Sequence, residues 1–252
     1  MIEIFYVGCA TCIINIDNCI KIGIDPSLSK KGSKLKFKSF ISERKIEPKF
    51  VNNLFDNVDL WLLTHSHEDH LDKEGLSIIS SNSKIICESK KTYDKINSIS
   101  NDIKILNWND IYLFDKENIT VEITAIPAYH AQNFVVSKIV GKVNGYIITI
   151  SSNKIKKSIY ITGDTIFNEK IIKNIDTHID IMIANLGNAR SNTLFGPLTM
   201  NIDMLEKFVK KLTPDIVIPV HIDDYSHYNM TKSQVEKAGY KIIEQGKWIK
   251  VY

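Results

Sequence analysis

Short runs of apolar and β-branched residues recur along almost the whole chain, separated by polar or glycine-containing turns. Runs of this length and composition are typical of β-strands. The predicted strands are IEIFYV, TCIINI, CIKIGI, DLWLLT, SKIICE, NITVEITAI, GYIITI, SIYIT, DIMIAN, DIVIPV and KWIKVY. The pattern therefore predicts a protein built mainly from sheets.

Apolar residues at helical spacing appear between these strands. The candidate helices cover residues 74–80, 89–96, 169–174, 200–212 and 231–238. The clearest is MNIDMLEKFVKKL, which places Leu205, Phe208 and Leu212 on one face, with Thr199 as a possible N-cap. Strands that first follow one another like hairpins and then alternate with helices predict an α/β protein whose sheets carry helices on their outer faces.

Length and composition indicate one globular domain spanning residues 1–252. The 252 residues are 44% hydrophobic and 24% charged, and they contain no repeat and no linker rich in Pro, Gly or Ser. The 32 basic and 29 acidic residues give a net charge of +3, too even a balance to indicate binding to nucleic acid or membranes. We therefore expect a small-molecule partner, and exposed edge strands leave homo-oligomer formation open.

Cysteine usage and the N-terminal residues predict a cytoplasmic protein. Cys9 and Cys12 form a C-x-x-C pair, but no second pair follows, which favours small buried residues in a reducing compartment over a redox or zinc motif. The first apolar run has Glu3 near its start, lacks a basic region before it and is broken by Gly8 and Asp17, so it does not resemble a signal peptide.

Residues 30–49 form a basic stretch that includes Lys34, Lys36, Lys38 and Arg44. One interpretation is a solvated surface loop. The other is a basic flap that attracts an anionic substrate, which charge reversal of the three lysines would test through the salt dependence of kcat/KM.

The stretch THSHEDH places His65, His67, Asp69 and His70 within six residues, directly after the strand DLWLLT. Other candidate ligands also follow strand-like runs: His130 follows VEITAIPAY, Asp164 follows SIYITG, and His221 follows DIVIPV. If these strands share a layered structure, their ends meet at one rim and the side chains converge.

Imidazole and carboxylate ligands without a thiolate indicate zinc, with manganese or iron as alternatives. We predict two divalent ions bridged by a hydroxide. One ion is held by His65, His67 and His130, the other by Asp69, His70 and His221, and the Asp164 carboxylate bridges them. Two dications offset by two aspartates and a hydroxide leave a positive charge, which favours an anionic substrate.

Two further histidines stand outside this set. His178, in IDTHIDI, is predicted to be a surface residue. His227 follows His221 by six residues in HIDDYSHY, which leaves open a role in substrate binding or proton transfer. Taken alone, His130, Asp164 and His221 could equally be ordinary surface, core or turn residues, and the cluster at 65–70 is what favours ligation.

The motif THSHEDH resembles the H-x-H-x-D-H signature of the metallo-β-lactamase superfamily, and AYH, TGDT and VIPVH match its remaining ligand positions in order. CIKIGIDPS, TGDT and IANLGNARSNTLFGPLTMNIDML further resemble the UlaG-like branch, named for ascorbate-6-phosphate lactonase. The resemblance implies a four-layer αβ/βα sandwich and a metal-bound hydroxide that attacks a carbonyl or phosphorus centre.

The expected function is metal-dependent hydrolysis of an ester or lactone bond in a small anionic substrate. Asp69 would orient the hydroxide and accept its proton. The leaving group would either depart directly onto the metal or take a proton from Tyr225 or His227. The segment LGNARSNTLFGP departs from the family pattern, so substrate contacts could come from Asn185, Asn188 or Arg190.

Other chemistries would use the same ligands. A phosphodiesterase or nuclease is the main alternative, although the chain has no concentrated basic, aromatic-rich surface for a polynucleotide. Diiron redox chemistry in this superfamily usually comes with a fused flavin domain, which 252 residues do not accommodate. A non-enzymatic metal-binding module is less favoured because every ligand position is present.

Overall fold

The computed structural model describes residues 1–37, 40–153, 155–190 and 196–252, without the side chains of Phe134, Val135 and Lys138. The chain divides into two compact units, each described by itself below. The first unit comprises residues 1–105, 223–227 and 243–252, and the second comprises residues 106–222 and 228–242.

The described residues form both strands and helices. The strands are β1 (Ile2–Gly8), β2 (Thr11–Ile16), β3 (Ile20–Ile24), β4 (Lys34–Lys36), β5 (Ile41–Glu43), β6 (Leu60–Leu62), β7 (Lys84–Cys87), β8 (Ile103–Ile105), β9 (Ile111–Lys116), β10 (Ile119–Ala128), β11 (Val143–Ser151), β12 (Lys156–Ile161), β13 (Ile181–Asn185), β14 (Ile216–Val220) and β15 (Trp248–Lys250). The helices are α1 (Lys73–Ser77), α2 (Lys90–Ile96), α3 (Phe134–Val140), α4 (Glu169–Ile172), α5 (Ile202–Leu212) and α6 (Lys232–Lys237).

The main sheet of the first unit, as far as the structure describes it, has seven strands in the order β15-β1-β2-β3-β6-β7-β8. The pairs from β15 to β3 are antiparallel, whereas β3, β6, β7 and β8 are parallel neighbours. Trp61 and Ile85 of the sheet pack with Ile96 of α2 and Leu76 of α1 in one apolar core. Because parallel neighbours end at the same edge, the loops that follow β3 and β6 emerge side by side.

The sheet of the second unit, among the described residues, has six strands in the order β14-β13-β12-β11-β10-β9. Strands β12, β13 and β14 are parallel, and the other pairs are antiparallel. Phe208 and Leu205 of α5 pack on Tyr160 and Met182 of the sheet. This packing fixes the parallel strands, whose carboxyl ends lead to residues 164, 186 and 221.

The strand prediction is confirmed for every run named from the sequence, and each predicted helix is present with small shifts at its ends. Helix α5 begins later than predicted: the side chain of Asn201, rather than Thr199, caps it by accepting from the Met204 N–H. Thr199 Oγ1 instead accepts from the Ala189 N–H at 2.8 Å. The structure adds α3, β4, β5, β8 and β9, which the sequence reasoning missed.

The basic stretch contains the hairpin of β4 and β5, which pair antiparallel from Lys34↔Glu43 to Lys36↔Ile41. Lys34 and Lys36 are exposed, as a solvated loop requires, whereas Arg44 is completely buried. Lys38 lies outside the described residues. Of the helices described, none combines the length and the apolarity that crossing a membrane would require. The cysteines are free, and Cys9, Cys12 and Cys87 are buried.

Candidate metal centre

The histidine cluster lies in the loop after β6, at the carboxyl edge of the first unit's main sheet. His65, Asp69 and His70 are buried, and His67 is partly buried. The Nε2 atom of His65 lies 3.0 Å from Nδ1 of His67, so two ring nitrogens face the same point. Such an arrangement suits two imidazoles that share one cation.

Asp25 fixes the orientation of two of these rings from the end of the neighbouring strand β3. Its carboxylate accepts from the Thr64 N–H at 2.7 Å, from the Thr64 hydroxyl at 2.6 Å and from His70 Nδ1 at 2.8 Å. Because the Thr64 proton goes to Asp25, its oxygen accepts from His65 Nδ1 at 3.1 Å. Both rings then present Nε2 as the nitrogen that can bind a metal, as ligating histidines generally do with a carboxylate behind them.

The backbone of Asp25 is itself unusual. Its φ angle is +41°, in the left-handed region that non-glycine residues seldom adopt. A conformation of this kind costs roughly 1–3 kcal/mol and persists where the surrounding contacts hold it. Three hydrogen bonds to one buried carboxylate provide those contacts.

His227 reaches Asp69 within the first unit. Its Nε2 lies 3.4 Å from Asp69 Oδ2, and its Nδ1 lies 2.6 Å from the Ser42 hydroxyl on β5. The Lys45 N–H donates to the Asp224 carbonyl, and the Ser226 N–H donates to the Glu43 carbonyl. These backbone hydrogen bonds hold the segment that carries Ser42 beside the segment that carries His227. The structure therefore places His227 beside one residue of the predicted ligand set.

Tyr225 is buried in a polar cluster. Its hydroxyl lies 3.1 Å from Ser27 Oγ, 3.3 Å from Ser29 Oγ and 3.3 Å from Nη1 of the fully buried Arg44. Burial raises the pKa of Tyr225 well above its ordinary value. In the same cluster, the Asp72 carboxylate accepts from the Ser29 N–H at 2.7 Å and from the Ser27 hydroxyl at 3.2 Å. These contacts favour a supporting role for Tyr225 over proton donation.

In the second unit, the Asp164 carboxylate lies between two imidazoles. His130 Nε2 is 3.6 Å from Asp164 Oδ2, and His221 Nε2 is 3.6 Å from Asp164 Oδ1. All three side chains are buried. Each carboxylate oxygen thus faces a different histidine.

Several neighbours orient these three side chains. The Leu198 carbonyl accepts from His130 Nδ1 at 2.8 Å, which leaves Nε2 directed at Asp164. The Asn185 side-chain amide donates to Asp164 Oδ1 at 3.0 Å. The Tyr228 hydroxyl lies 2.6 Å from His221 Nε2, the same nitrogen that faces Asp164, so it competes for that nitrogen rather than backing the ring. Asn185 is buried at the end of β13, so it supports Asp164.

The backbone around His221 is closely fitted. The φ angle of His221 is +63°, and a Cβ atom at Gly187 would lie 2.8 Å from His221 Nδ1. Any side chain at Gly187 would therefore displace the imidazole. The position of the imidazole therefore constrains both the backbone of His221 and the residue type at position 187.

The other predicted substrate residues lie beside the segment 191–195, which falls outside the described residues. Asn188 has a φ angle of +44°, and its side-chain oxygen accepts from the exposed Arg190 at 3.4 Å. The Asn188 carbonyl accepts from the Asn229 side-chain amide at 3.1 Å. Their role in substrate binding stays a prediction.

The donors within each unit fit a divalent metal. Metal–ligand distances of 2.0–2.1 Å with tetrahedral angles place neighbouring ligand atoms about 3.3 Å apart. The separations of 3.6 Å around Asp164 are near that value and too long for strong hydrogen bonds. Imidazole nitrogens and carboxylate oxygens are ligands that zinc, manganese and iron accept.

The comparisons with known proteins agree with this chemistry. A family model described as the β-lactamase superfamily domain matches residues 21–222, which include parts of both units. The chain belongs to the metallo-β-lactamase superfamily. The predicted fold class, the metallo-β-lactamase fold, is confirmed.

The proteins that this chain resembles are distant from it in sequence. The UPF0173 metal-dependent hydrolase PH1671 of Pyrococcus horikoshii is 28% identical over 204 residues, covering 78% of this chain and 83% of the relative. A possible metal-dependent hydrolase from Veillonella parvula DSM 2008 shares the fold with a TM-score of 0.83 and 21% identity, covering 99% of each chain. An isothiocyanate hydrolase from Delia radicum gut bacteria has a TM-score of 0.82 and 21% identity, covering 98% of each chain.

Sequence reasoning missed Asp25, Thr64 and Ser42 as supporting residues. A signal for Asp25 was present, because IGIDPS places an aspartate directly after a strand, as Asp164 is placed in TGDT. Ser42 gave no comparable signal, because it lies 185 residues before its partner His227. His178 is exposed, as predicted, and lies 3.1 Å from Asp215.

Proposed function

We propose that this chain is a metal-dependent hydrolase of the metallo-β-lactamase superfamily that cleaves an ester or lactone bond in a small anionic substrate. The observation that carries the proposal is the Asp164 carboxylate, whose two oxygens each face a different buried imidazole. Family membership and the names of relatives such as PH1671 support the coarser part, a metal-dependent hydrolase.

The proposed centre binds two divalent ions, with zinc preferred and manganese or iron as alternatives. One ion takes His65, His67 and His130. The other takes Asp69, His70 and His221, and Asp164 contributes to both. Support comes from each unit separately: Asp25 and Thr64 orient rings in the first, and Leu198 and Asn185 orient ligands in the second.

The residues of this chain have distinct parts in the proposed reaction. When bound, the metal supplies Lewis-acid activation and lowers the pKa of water from 15.7 to about 7. Asp69 orients the attacking water and accepts its proton at a carboxylate oxygen. His227, whose Nε2 lies 3.4 Å from Asp69 Oδ2, takes that proton and delivers it to the leaving group. Ser42 holds the opposite nitrogen of the ring at 2.6 Å.

Further features of the proposal extend the sequence analysis. We propose that the two units act as one hydrolase domain, and that the chain follows the UlaG-like branch in acting as a lactonase. The exposed Lys34 and Lys36 support an anionic substrate. A cytoplasmic location, a small-molecule partner rather than nucleic acid or membrane, and possible pairing of copies belong to the same proposal.

A hydrolysis screen of the purified, metal-loaded protein tests this function. The panel is a lactone, a thioester, a β-lactam and a bis-aryl phosphodiester. His67→Ala removes a proposed ligand, and His178→Ala is the matched control because His178 is exposed. We expect turnover of the lactone, lost in His67→Ala and retained in His178→Ala. Turnover of the phosphodiester alone would favour the alternative phosphodiesterase, and turnover insensitive to His67→Ala would refute the proposed site.

A further inference from the structure

Strand β9 forms an open edge of the second unit's sheet. Among the described residues it pairs with β10 alone, from Lys116↔Ile119 to Ile111↔Thr124. Ile111 and Leu113 are 57% and 58% exposed, and neither belongs to the apolar core of the unit. An exposed apolar edge strand is a template on which another chain can pair, so this edge is a candidate interaction surface.

The open side of β9 presents the backbone groups of alternate residues. The Ala125 N–H donates to the Asp110 carbonyl at 3.0 Å, so the backbone of Asp110 faces β10. Every second residue from Asp110 onward also faces β10, because the direction of the backbone groups alternates along a strand. The residues between them direct their N–H and C=O groups outward, and they are Ile111, Leu113 and Asp115. An added strand would satisfy these groups.

The sequence of this edge is complementary to itself in an antiparallel alignment. When a second copy is aligned about Leu113, the two Leu113 residues lie opposite each other, and Tyr112 lies opposite Phe114. The same alignment sets Asp110 opposite Lys116 at both ends of the paired strands. It also sets outward-facing residues against each other, as a β-ladder requires. Aromatic and opposite-charge pairs across neighbouring strands are favourable, so the pattern fits a second copy of this chain.

We infer that two copies of this chain associate through β9, paired antiparallel about a two-fold axis at Leu113. The two sheets then continue into each other, and Ile111 and Leu113 of each copy lie against the other strand. Such an interface is isologous, so it closes after two copies and leaves no open β9 edge for further growth. The inference makes specific the pairing of copies included in the proposed function, and it does not depend on the hydrolytic activity.

Sedimentation velocity of the purified chain over a concentration series tests the charge pairs. Asp110→Lys alone sets like charges opposite each other at both ends and should raise the dimer dissociation constant about tenfold. Asp110→Lys/Lys116→Asp exchanges the signs and should return the constant to within about threefold of the wild type. Both proteins lose the hydrogen bond from the Asn107 N–H to the Asp110 carboxylate, so the rescue reports the charge pairs and not this loss.

Cysteine cross-linking tests the alignment itself. Opposite residues whose backbone groups bond each other have Cα atoms about 5.5 Å apart, within the range of a disulfide. Oxidation with diamide should therefore link Leu113→Cys into a covalent dimer. Ile111→Cys should stay unlinked, because each Ile111 lies opposite Asp115 of the other copy, about 14 Å along the strand from its counterpart. The wild type, treated in the same way, controls for the native cysteines.

A substitution at the centre of the interface separates this inference from the proposed function. Leu113→Lys sets two ammonium groups opposite each other and should leave the protein monomeric, whereas Ile139→Lys, at a residue of the same unit that is 53% exposed outside β9, should keep the dimer. A monomeric wild type, or a dimer that persists in Leu113→Lys, would overturn the inference even if the protein hydrolyses lactones. A dimer that Leu113→Lys disrupts would support it even if the hydrolysis screen gave no turnover.

Discussion

Replacing Asp25 with Asn should weaken metal binding, although the substitution leaves every predicted ligand in place. The carboxylate is fully buried and accepts three hydrogen bonds, of which the one from His70 Nδ1, at 2.8 Å, fixes the ring. An amide keeps one acceptor oxygen and turns an NH2 group toward either the ring nitrogen or Thr64. In either orientation His70 loses the anionic acceptor behind its ring, so the basicity of Nε2 falls.

The magnitude follows from the number of bonds that change. Loss of a carboxylate behind a ligating histidine typically lowers metal affinity 10–100-fold, or about 1.4–2.7 kcal/mol. Hydrogen bonds to a charged acceptor contribute about 1.5–3 kcal/mol each, so the variant should also unfold at a lower temperature. We therefore expect a dissociation constant for Zn²⁺ that is 10–100-fold higher than that of the wild type.

Competition with a chromophoric chelator measures this dissociation constant. The matched control is Asp59→Asn, because Asp59 is a partly buried carboxylate that precedes β6, at the opposite end from His65, and accepts from the Lys21 N–H at 2.9 Å. The control should lose stability and keep its zinc affinity. An Asp25→Asn protein that binds zinc within twofold of the wild type would refute the reasoning that Asp25 orients His70.

Three further substitutions have defined outcomes. Asn185→Ala removes the amide that donates to Asp164 and should raise the zinc dissociation constant about tenfold in the same competition assay. Tyr225→Phe removes the hydroxyl contacts with Ser27, Ser29 and Arg44. The free energy of unfolding, measured in urea, should therefore fall by about 1–3 kcal/mol, while kcat stays unchanged. A large fall in kcat would instead indicate that Tyr225 is the proton donor. Burial raises the pKa of the Glu88 carboxyl above its ordinary value, although hydrogen bonds to the carboxylate lower it. The neutral carboxyl therefore contributes to the free energy of unfolding at low pH, and this contribution is lost as the pH rises through the raised pKa. Thermal unfolding of Glu88→Gln should therefore match the wild type near pH 4 and occur at a higher temperature near pH 7, and an equal difference at both pH values would contradict this.

Much of the fold could be predicted because most strands are continuous apolar runs. The sequence DLWLLT indicates a strand and places His65 at its end, and the spacing in THSHEDH indicates the cluster directly. Helix α6 also has a local signal in the sequence, because Thr231 and Gln234 have the spacing of the capping box that the structure shows. Signals of this kind are local, so a single sequence is enough to show them.

Other elements depend on contacts that no local pattern carries. Helix α3 has the sequence FVVSKIV, whose β-branched residues do not indicate a helix. Strand β9, IYLFDK, has several apolar residues at the surface. Its apolar and polar residues therefore do not alternate as they do in a strand with one buried face. Arg44 lies in a basic stretch that indicates a solvated loop, yet its guanidinium is buried and donates to the Ser27 carbonyl at 2.9 Å.

Supporting residues were the hardest to predict. Ser42 meets His227 through the pairing of two segments that are far apart in sequence, and it carries no motif. Thr64 likewise carries no motif, and its hydroxyl lies between Asp25 and His65. In each case the role of the side chain depends on tertiary contacts rather than on spacing.

The metal content of the purified protein tests the central claim most directly. After loading with Zn²⁺ and removal of free ions, elemental analysis should find two ions per wild-type chain, about one in His67→Ala and in His221→Ala, and two in the control Asp59→Asn. A wild-type protein that retains no ion, or ligand variants that retain as much zinc as the wild type, would contradict the proposed metal centre and the hydrolytic function that depends on it.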